Sequence, residues 1–168
     1  MNTSEQIARH MALMRCYMEE AQEAIAWTAR YFPTLSAHGW GVDPPSKPAP
    51  HHVATALTFL DLSGVERCTR PDAVERCSRP DAVDSYGWKH RAEEWGAALG
   101  LDSYIGNGEF IIAALWRGVA TTQKAGTPNS ACVLHLPPDA VWHKRDRLHM
   151  LPRGRRGKSR ALGRNTRN

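Results

Sequence analysis

The 168-residue chain has no run of about 18 consecutive apolar residues, so no membrane-spanning helix is expected. Its start, MNTSEQIARHMALMR, lacks a basic stretch followed by an apolar one and does not read as a secretory signal. Cysteine is sparse: Cys16, Cys68, Cys77 and Cys132 are scattered. Without an export signal, free thiols and a cytoplasmic location are the expectation. Cys132 and His135 are three apart, but no second CxxC or HxxxH completes a zinc set. Of the eight histidines, His51 and His52 are adjacent and are expected to point apart on a helix, with no partner at metalloprotease spacing. The nucleophile elbow, the kinase signature and the full GxGxxG and GxxxxGK[ST] patterns are all missing. No catalytic residue, metal or cofactor is therefore assigned.

A regional absence is more informative. Residues 152–168, PRGRRGKSRALGRNTRN, contain no acid but seven Lys or Arg. The net charge of +5 therefore belongs to this segment, because residues 1–151 hold 15 basic and 17 acidic side chains, a net charge of −2. Arg153, Arg155, Arg156, Lys158, Arg160, Arg164 and Arg167 alternate with Gly, Ser and Asn, with Leu162 the one apolar anchor. That composition predicts a disordered arm. Lys144, Arg145 and Arg147 extend the basic stretch. Such an arm neutralises phosphates without sequence preference, so DNA or RNA is the expected partner. The lack of hydrophobic anchors argues against a membrane surface.

The hydrophobic fraction of 42% is enough for one globular core over 1–151. Thr3 and Gln6 fit a capping box. Ile7, Met11, Met14, Met18, Ala21 and Ile25 then recur at alternating spacings of four and three, which predicts a helix to about Tyr31. Phe32-Pro33 ends it. This Met-rich stripe reads first as a core face. Its adaptable Ile7, Met11, Met14 and Met18 side chains also offer a surface for a protein partner or self-association. Residues 33–50 hold five prolines and two glycines and form a connector. A second helix is predicted over His51–Leu62, with Val53, Leu57 and Leu60 inside and Gly64 as its stop.

Residues 66–74, ERCTRPDAV, and 75–83, ERCSRPDAV, match at eight of nine positions. Two copies of nine residues are too few and too short for a solenoid, so this is a tandem duplication. Pro71 and Pro80 interrupt the chain, and each copy is expected to form a short surface turn of helix. Asp84 and Ser85 can cap the next helix, whose stripe is Trp88, Ala92, Trp95 and Leu99, ending at Gly100. Asn107 is placed as the N-cap of GEFIIAALWRGV, which is apolar almost all round and expected to be central. ACVLHL, near 131–136, is a candidate strand, and PPDAVWHKRDRLHML a candidate last helix after Pro138.

SYGWKH, YIGNGEFIIAAL and PNSACVLHL together resemble a pattern in short uncharacterised proteins of bacterial phages and mobile elements. The resemblance covers about residues 84–136, on Tyr86–His90, Asn107–Ala114 and the Asn-containing piece, and implies no activity. Gly106-Asn107-Gly108 before a helix suggests a phosphate cradle, but Glu109 in the first turn would repel an anion. A helix-turn-helix over 85–119 is disfavoured. Its connector is long, and its second helix offers base edges only Glu109 and Arg117. Lys89, His90 and Arg91 are the better secondary site for nucleic acid. His90 with Glu93 or Glu94 is the acid–base pair to test if the protein is an enzyme of unrecognised chemistry.

The expectation is therefore a mainly α, bundle-like single domain of four or five helices over 1–151, with a basic tail over 152–168. Its expected role is that of an accessory nucleic-acid-binding protein. A protein-interaction module is the alternative.

Overall fold

The computed structural model describes residues 3–67, 84–101 and 104–135, with no side chains before position 12. The fold is mainly α. Helix α1 runs Thr3–Tyr31, α2 Pro50–Leu62, α3 Ser85–Ala98 and α4 Asn107–Trp116. The described residues also form short strands of two or three residues: β1 (Leu35–Ser36), β2 (Gly39–Trp40), β3 (Glu66–Arg67), β4 (Thr121–Gln123), β5 (Ser130–Cys132) and β6 (Leu134–His135). They pair antiparallel as β1–β2, β3–β6 and β4–β5.

Helices α2 and α4 form the centre, and each packs against the other and against both α1 and α3. Both are apolar around their circumference, which fits a buried position. Every residue of Val53–Leu60 is buried, as is every residue of Asn107–Ala114. Leu57, Phe59, Phe110 and Ile111 are fully enclosed, each side chain contributing about 1.5–3 kcal/mol by leaving water. Buried threonines in α1 and α2 return their hydroxyls to the preceding turn, Thr28 to the Ala24 carbonyl at 2.6 Å and Thr58 to that of Ala54 at 2.7 Å. No buried hydroxyl of that pair is left unsatisfied.

The expected ends of α1 and α2 agree with the structure to within a residue. The face of α1 is broader than the Met stripe. Tyr17, Ala21, Ala24 and Thr28 are buried, while Met14, Met18 and Ile25 pack part-buried against the same core. Two of the four residues suggested for partner binding, Met14 and Met18, thus serve the protein's own core. The side chains of Ile7 and Met11, with the Thr3–Gln6 capping box, lie outside the described residues.

The expected face of α3 forms at Trp88 and Ala92, which are buried, and at Trp95, which packs part-buried against the core. Ser85, Lys89 and Gly96 are buried as well, whereas Leu99 is 52% exposed. At the start of the helix, Ser85 is drawn into a polar junction with α4 and β5. The connector 33–50 carries the β1–β2 ladder instead of being wholly irregular. The strand expected near 131–136 is divided between β5 and β6. Of the duplication, only Glu66–Arg67 is described, paired with His135 and Leu134. The rest of the repeat, the candidate helix after Pro138 and the basic tail lie outside the described residues. Among the described residues, no helix is long and apolar enough to cross a membrane.

Candidate functional site

The first turn of α4 is enclosed by protein. The β1–β2 turn carries the Ala37 carbonyl onto its N-terminus, where it accepts from the N–H of Gly108 at 2.9 Å and of Glu109 at 3.3 Å. Such close backbone contact requires glycine. A Cβ on Gly108 would stand 1.7 Å from the Ser36 carbonyl oxygen, and one on Gly106 2.2 Å from that of Ala37. Asn107 is the first helical residue, and Gly106, one position earlier, is the N-cap. Glycine has no capping side chain, so Glu109 supplies the one side-chain bond, accepting from the Gly106 N–H at 2.6 Å. Glu109, only 2% exposed, also accepts from the Ala49 N–H at 2.7 Å and sits 2.9 Å from His52 Nδ1. The helix dipole is therefore met by a backbone carbonyl and the chain's own carboxylate, which leaves the Gly106-Asn107-Gly108 turn no cradle for phosphate.

Beside this turn, three segments meet in a hydrogen-bonded junction. The Ser85 hydroxyl donates to Asn107 Oδ1 at 2.8 Å and accepts from the Ser130 N–H at 2.9 Å. Asn107 Nδ2 donates to the Pro128 carbonyl at 3.0 Å and to Asn129 Oδ1 at 3.1 Å. Asn129 Nδ2 donates to Asp84 Oδ2 at 3.1 Å, and Trp40 Nε1 to Ser130 Oγ at 2.7 Å. Asp84 caps α3, accepting from the Gly87 N–H at 3.1 Å, and also takes Lys124 Nζ at 3.3 Å. Burial works to raise the Asp84 carboxyl, but Gly87, Lys124 and Asn129 together hold it below the usual carboxylate range. Ser85, Gly87, Asn107, Pro128, Asn129 and Ser130 belong to the three sequence segments SYGWKH, YIGNGEFIIAAL and PNSACVLHL, whereas Trp40, Asp84 and Lys124 come from outside them.

A cleft of about 480 Å³ opens on this junction, lined by His38, Tyr86, Lys89, Tyr104, Asn107, Pro128 and Asn129. Tyr86 and Tyr104 are 51% and 50% exposed, yet the lysine between them is only 7% exposed. Lys89 Nζ lies 5.2 Å from the Tyr86 ring centroid and 5.6 Å from that of Tyr104, within cation–π range of both. Glu93 accepts from Lys89 Nζ at 2.9 Å and holds the Ile105 N–H at 3.0 Å, fixing the loop that carries Tyr104. An ammonium has three N–H donors. Among the described residues, Glu93 alone accepts from it through a hydrogen bond. A volume of this size falls in the range of small-ligand pockets.

The secondary-site residues take three different positions. Lys89 lines the cleft. His90 is outside it, its Nδ1 2.7 Å from Glu93 Oε2 and its ring edge-on to Tyr86 at 4.6 Å. Arg91 lies over the Trp88 ring at 5.0 Å. Consecutive helical residues diverge by about 100°, so they do not form one face. Of the pairings considered for His90, Glu93 is the one formed. The His51 and His52 rings, expected to diverge, instead touch at 4.1 Å between centroids in the first turn of α2. Lys144, Arg145, Arg147, Arg153, Arg155, Arg156, Lys158, Arg160, Arg164 and Arg167 lie outside the described residues.

At the other end of α4, Arg117 is gripped by two carboxylates. Its Nη1 and Nη2 donate to Glu20, the latter at 2.8 Å, and its Nε and Nη2 donate to Asp61 at 2.9 and 2.6 Å. Trp116 Nε1 donates to Glu20 at 2.9 Å, and the Tyr17 hydroxyl and Arg67 Nη1 donate to Asp61 at 3.1 Å each. The bond to Glu20 foremost, then Asp61, raises Arg117 above its ordinary value against the effect of burial. Arg117, aided by Trp116, in turn holds Glu20 below the usual range. Burial, then Asp61, pushes the Tyr17 phenol up to about 12. Glu109 and Arg117, the two side chains of α4 that could have read base edges, are thus both engaged within the fold. Cys132 is buried, which pushes its thiol up to about 12 and keeps it a protonated, poor metal ligand. No cluster of three or more potential metal-ligating side chains occurs among the described residues.

The cleft residues Tyr86, Tyr104 and His38 were missed by sequence reasoning. Tyr86 stood inside the quoted SYGWKH pattern, and its off-stripe position beside Lys89 was the available signal. His38 and Tyr104 come from connecting segments and carried none. No protein-family model, no curated protein and no solved structure matches this chain.

Proposed function

We propose that this protein is an accessory nucleic-acid-binding protein of a bacterial phage or mobile element, which contacts phosphates through the basic residues of 144–167. The observation that carries this reading is the segregation of charge: residues 152–168 hold seven cations and no acid, against a net charge of −2 for all the rest. Charge separated in this way attracts a polyanion to one segment while the body stays neutral enough not to smear over it. The resemblance of residues 84–136 to proteins of phages and mobile elements supports the setting. The cleft adds Lys89, paired with Glu93, beside two half-exposed tyrosines.

The test is a salt series with full-length protein on labelled duplex DNA and single-stranded RNA, beside a full-length variant with the seven cations of 152–168 changed to glutamine. If all seven engage phosphates, log affinity on duplex falls against log salt with a slope of about −6, and the glutamine variant loses most of that slope. Absence of binding by the wild-type protein at low salt overturns the proposal, as does an unchanged slope in the variant.

A further inference from the structure

We propose that the cleft at the head of α4 receives one unpaired nucleotide of a single-stranded nucleic acid, its base stacked on Tyr86 and Tyr104 and its phosphate at Lys89. The inference rests on the nucleic-acid reading above and narrows it to the unpaired strand.

Three properties of the cleft point to this ligand. First, two tyrosines, each half-exposed as a residue, stand beside one cation, with His90 and His52 set edge-on to their rings, which is the pairing of stacking surface and positive charge that single-stranded nucleic acid uses. A base within a duplex has its faces covered by its neighbours and cannot offer them to a ring. Second, Lys89 is almost withdrawn from water yet lines the cleft, and Glu93 takes only one of its three hydrogen-bond directions among the described residues. A phosphate oxygen is an acceptor suited to the remainder. His38, whose ring has no hydrogen-bond partner among the described residues, lines the same cleft and adds a second donor. Third, Glu93 offsets the charge of Lys89. The cleft therefore attracts by stacking and directed hydrogen bonds more than by net charge, in contrast to residues 152–168.

The geometry also limits what can be read. The side-chain amides of Asn107 and Asn129 are the groups suited to base edges, but both are committed to Ser85, Pro128, Asp84 and each other. Stacking discriminates weakly among bases. The cleft should accept any base and prefer a strand that is open.

The experiment uses full-length protein, Tyr86→Ala/Tyr104→Ala and Tyr86→Phe/Tyr104→Phe. Each is titrated by fluorescence anisotropy with an oligothymidylate of about 12 nucleotides and with a duplex of equal length, at one fixed low salt concentration. The alanine pair should bind the oligothymidylate at least about ten-fold more weakly, and the phenylalanine pair within about two-fold of wild type, because the rings carry the stacking. Duplex affinity should stay within about two-fold for both variants, since the basic segment is untouched. Circular dichroism of both variants guards against misfolding, and the phenylalanine pair keeps both rings. An alanine pair that binds the oligothymidylate like wild type overturns the inference and leaves the basic-segment reading intact. So does an equal loss on both nucleic acids. Failure of wild type to bind either one overturns both.

Discussion

Helix α4 separates two polar clusters of opposite character. At its C-terminal end, Arg117 spends its guanidinium on Glu20 and Asp61, and these in turn engage Trp116, Tyr17 and Arg67. At its N-terminal end, about 15 Å away along the helix, the Asn107 junction is equally well bonded inside but opens outward on Lys89 and two half-exposed tyrosines. The closed cluster ties three helices together, since Glu20 comes from α1, Asp61 from α2 and Arg117 from the end of α4. The open one is built on the same principle in its floor and departs from it at its rim. A polar group whose bonding capacity is filled inside the fold supports the structure. One that is positioned but not filled is available to a ligand.

Substitutions can break this contrast, beginning with the largest effect. Gly108→Ala puts a methyl group 1.7 Å from a backbone oxygen that no rotamer change can relieve. It should cost roughly 3 kcal/mol or more and, by displacing the β1–β2 turn, also damage the cleft. Thermal denaturation gives the size, and oligothymidylate binding the damage. Arg117→Met leaves Glu20 and Asp61 facing each other without their cation. The site is partly solvated, so a loss of about 2–3 kcal/mol in urea unfolding is expected, with nucleic-acid affinity unchanged. Tyr86→Ala should do the reverse, lowering affinity while stability moves by less than about 0.5 kcal/mol. If both variants lose both properties, the two clusters are not separate in function.

The alkaline limb of the stability profile belongs to the closed cluster, whereas both clusters contribute to the acid limb, through Glu20 and Asp84. Tyr17 belongs to the closed end, and its folded pKa of about 12 lies above the ordinary value near 10. Its contribution is complete below about pH 10 and is lost as pH rises through about 12, because the unfolded chain releases the proton first. Tyr17→Phe should flatten this alkaline limb in denaturant titrations. Asp84, at the open end, is depressed. Its contribution is present above the ordinary aspartate pKa and disappears as the pH falls through the folded value. Asp84→Asn should therefore remove part of the acid limb, with the share of Glu20 remaining, and leave the alkaline one.

The smallest expected effect concerns the tandem repeat. Arg67 pairs with Leu134 and Asp84 bridges to Ala131, so the two ends of the segment are held by residues three apart in the chain, about 10 Å when extended. One nine-residue copy is long enough to join them. Deleting residues 75–83 also leaves PDAV directly before Asp84, as now. The shorter connection should raise stability by about 0.7 kcal/mol through loop entropy and leave the cleft's affinity as it was. A deletion that weakens oligothymidylate binding would instead place the second copy in the open end.

Much of the scaffold was legible because it is periodic. The spacings in α1 and α2, Phe32-Pro33 and the all-round apolarity of α4 are local signals, and each corresponds to the element observed. The errors occur where distant segments meet. Asn107 looked like an N-cap because its side chain is suited to that role. It is instead used 21 and 22 residues away, on Pro128 and Asn129, and glycine takes the cap because Ala37 approaches too closely for any side chain. The α3 stripe placed Leu99 inside and Lys89 outside because hydropathy cannot anticipate a buried ion pair with Glu93. The cleft was legible only as Tyr86 and Lys89 within one short motif. His38 and Tyr104 join it through loops, which leave no periodicity to read.

On this reading a ligand enters at the N-terminal end of α4 and not at the C-terminal end. The most direct measurement is a ¹H–¹⁵N NMR titration of the full-length protein with oligothymidylate, following side-chain amides, indoles and guanidinium Nε–H groups together. The account predicts shifts for the Asn107 and Asn129 amides and for backbone signals around Tyr86, Lys89 and Tyr104, with Trp116 Nε1 and Arg117 Nε unmoved. Shifts at Trp116 and Arg117, or shifts confined to residues 144–167, would contradict it.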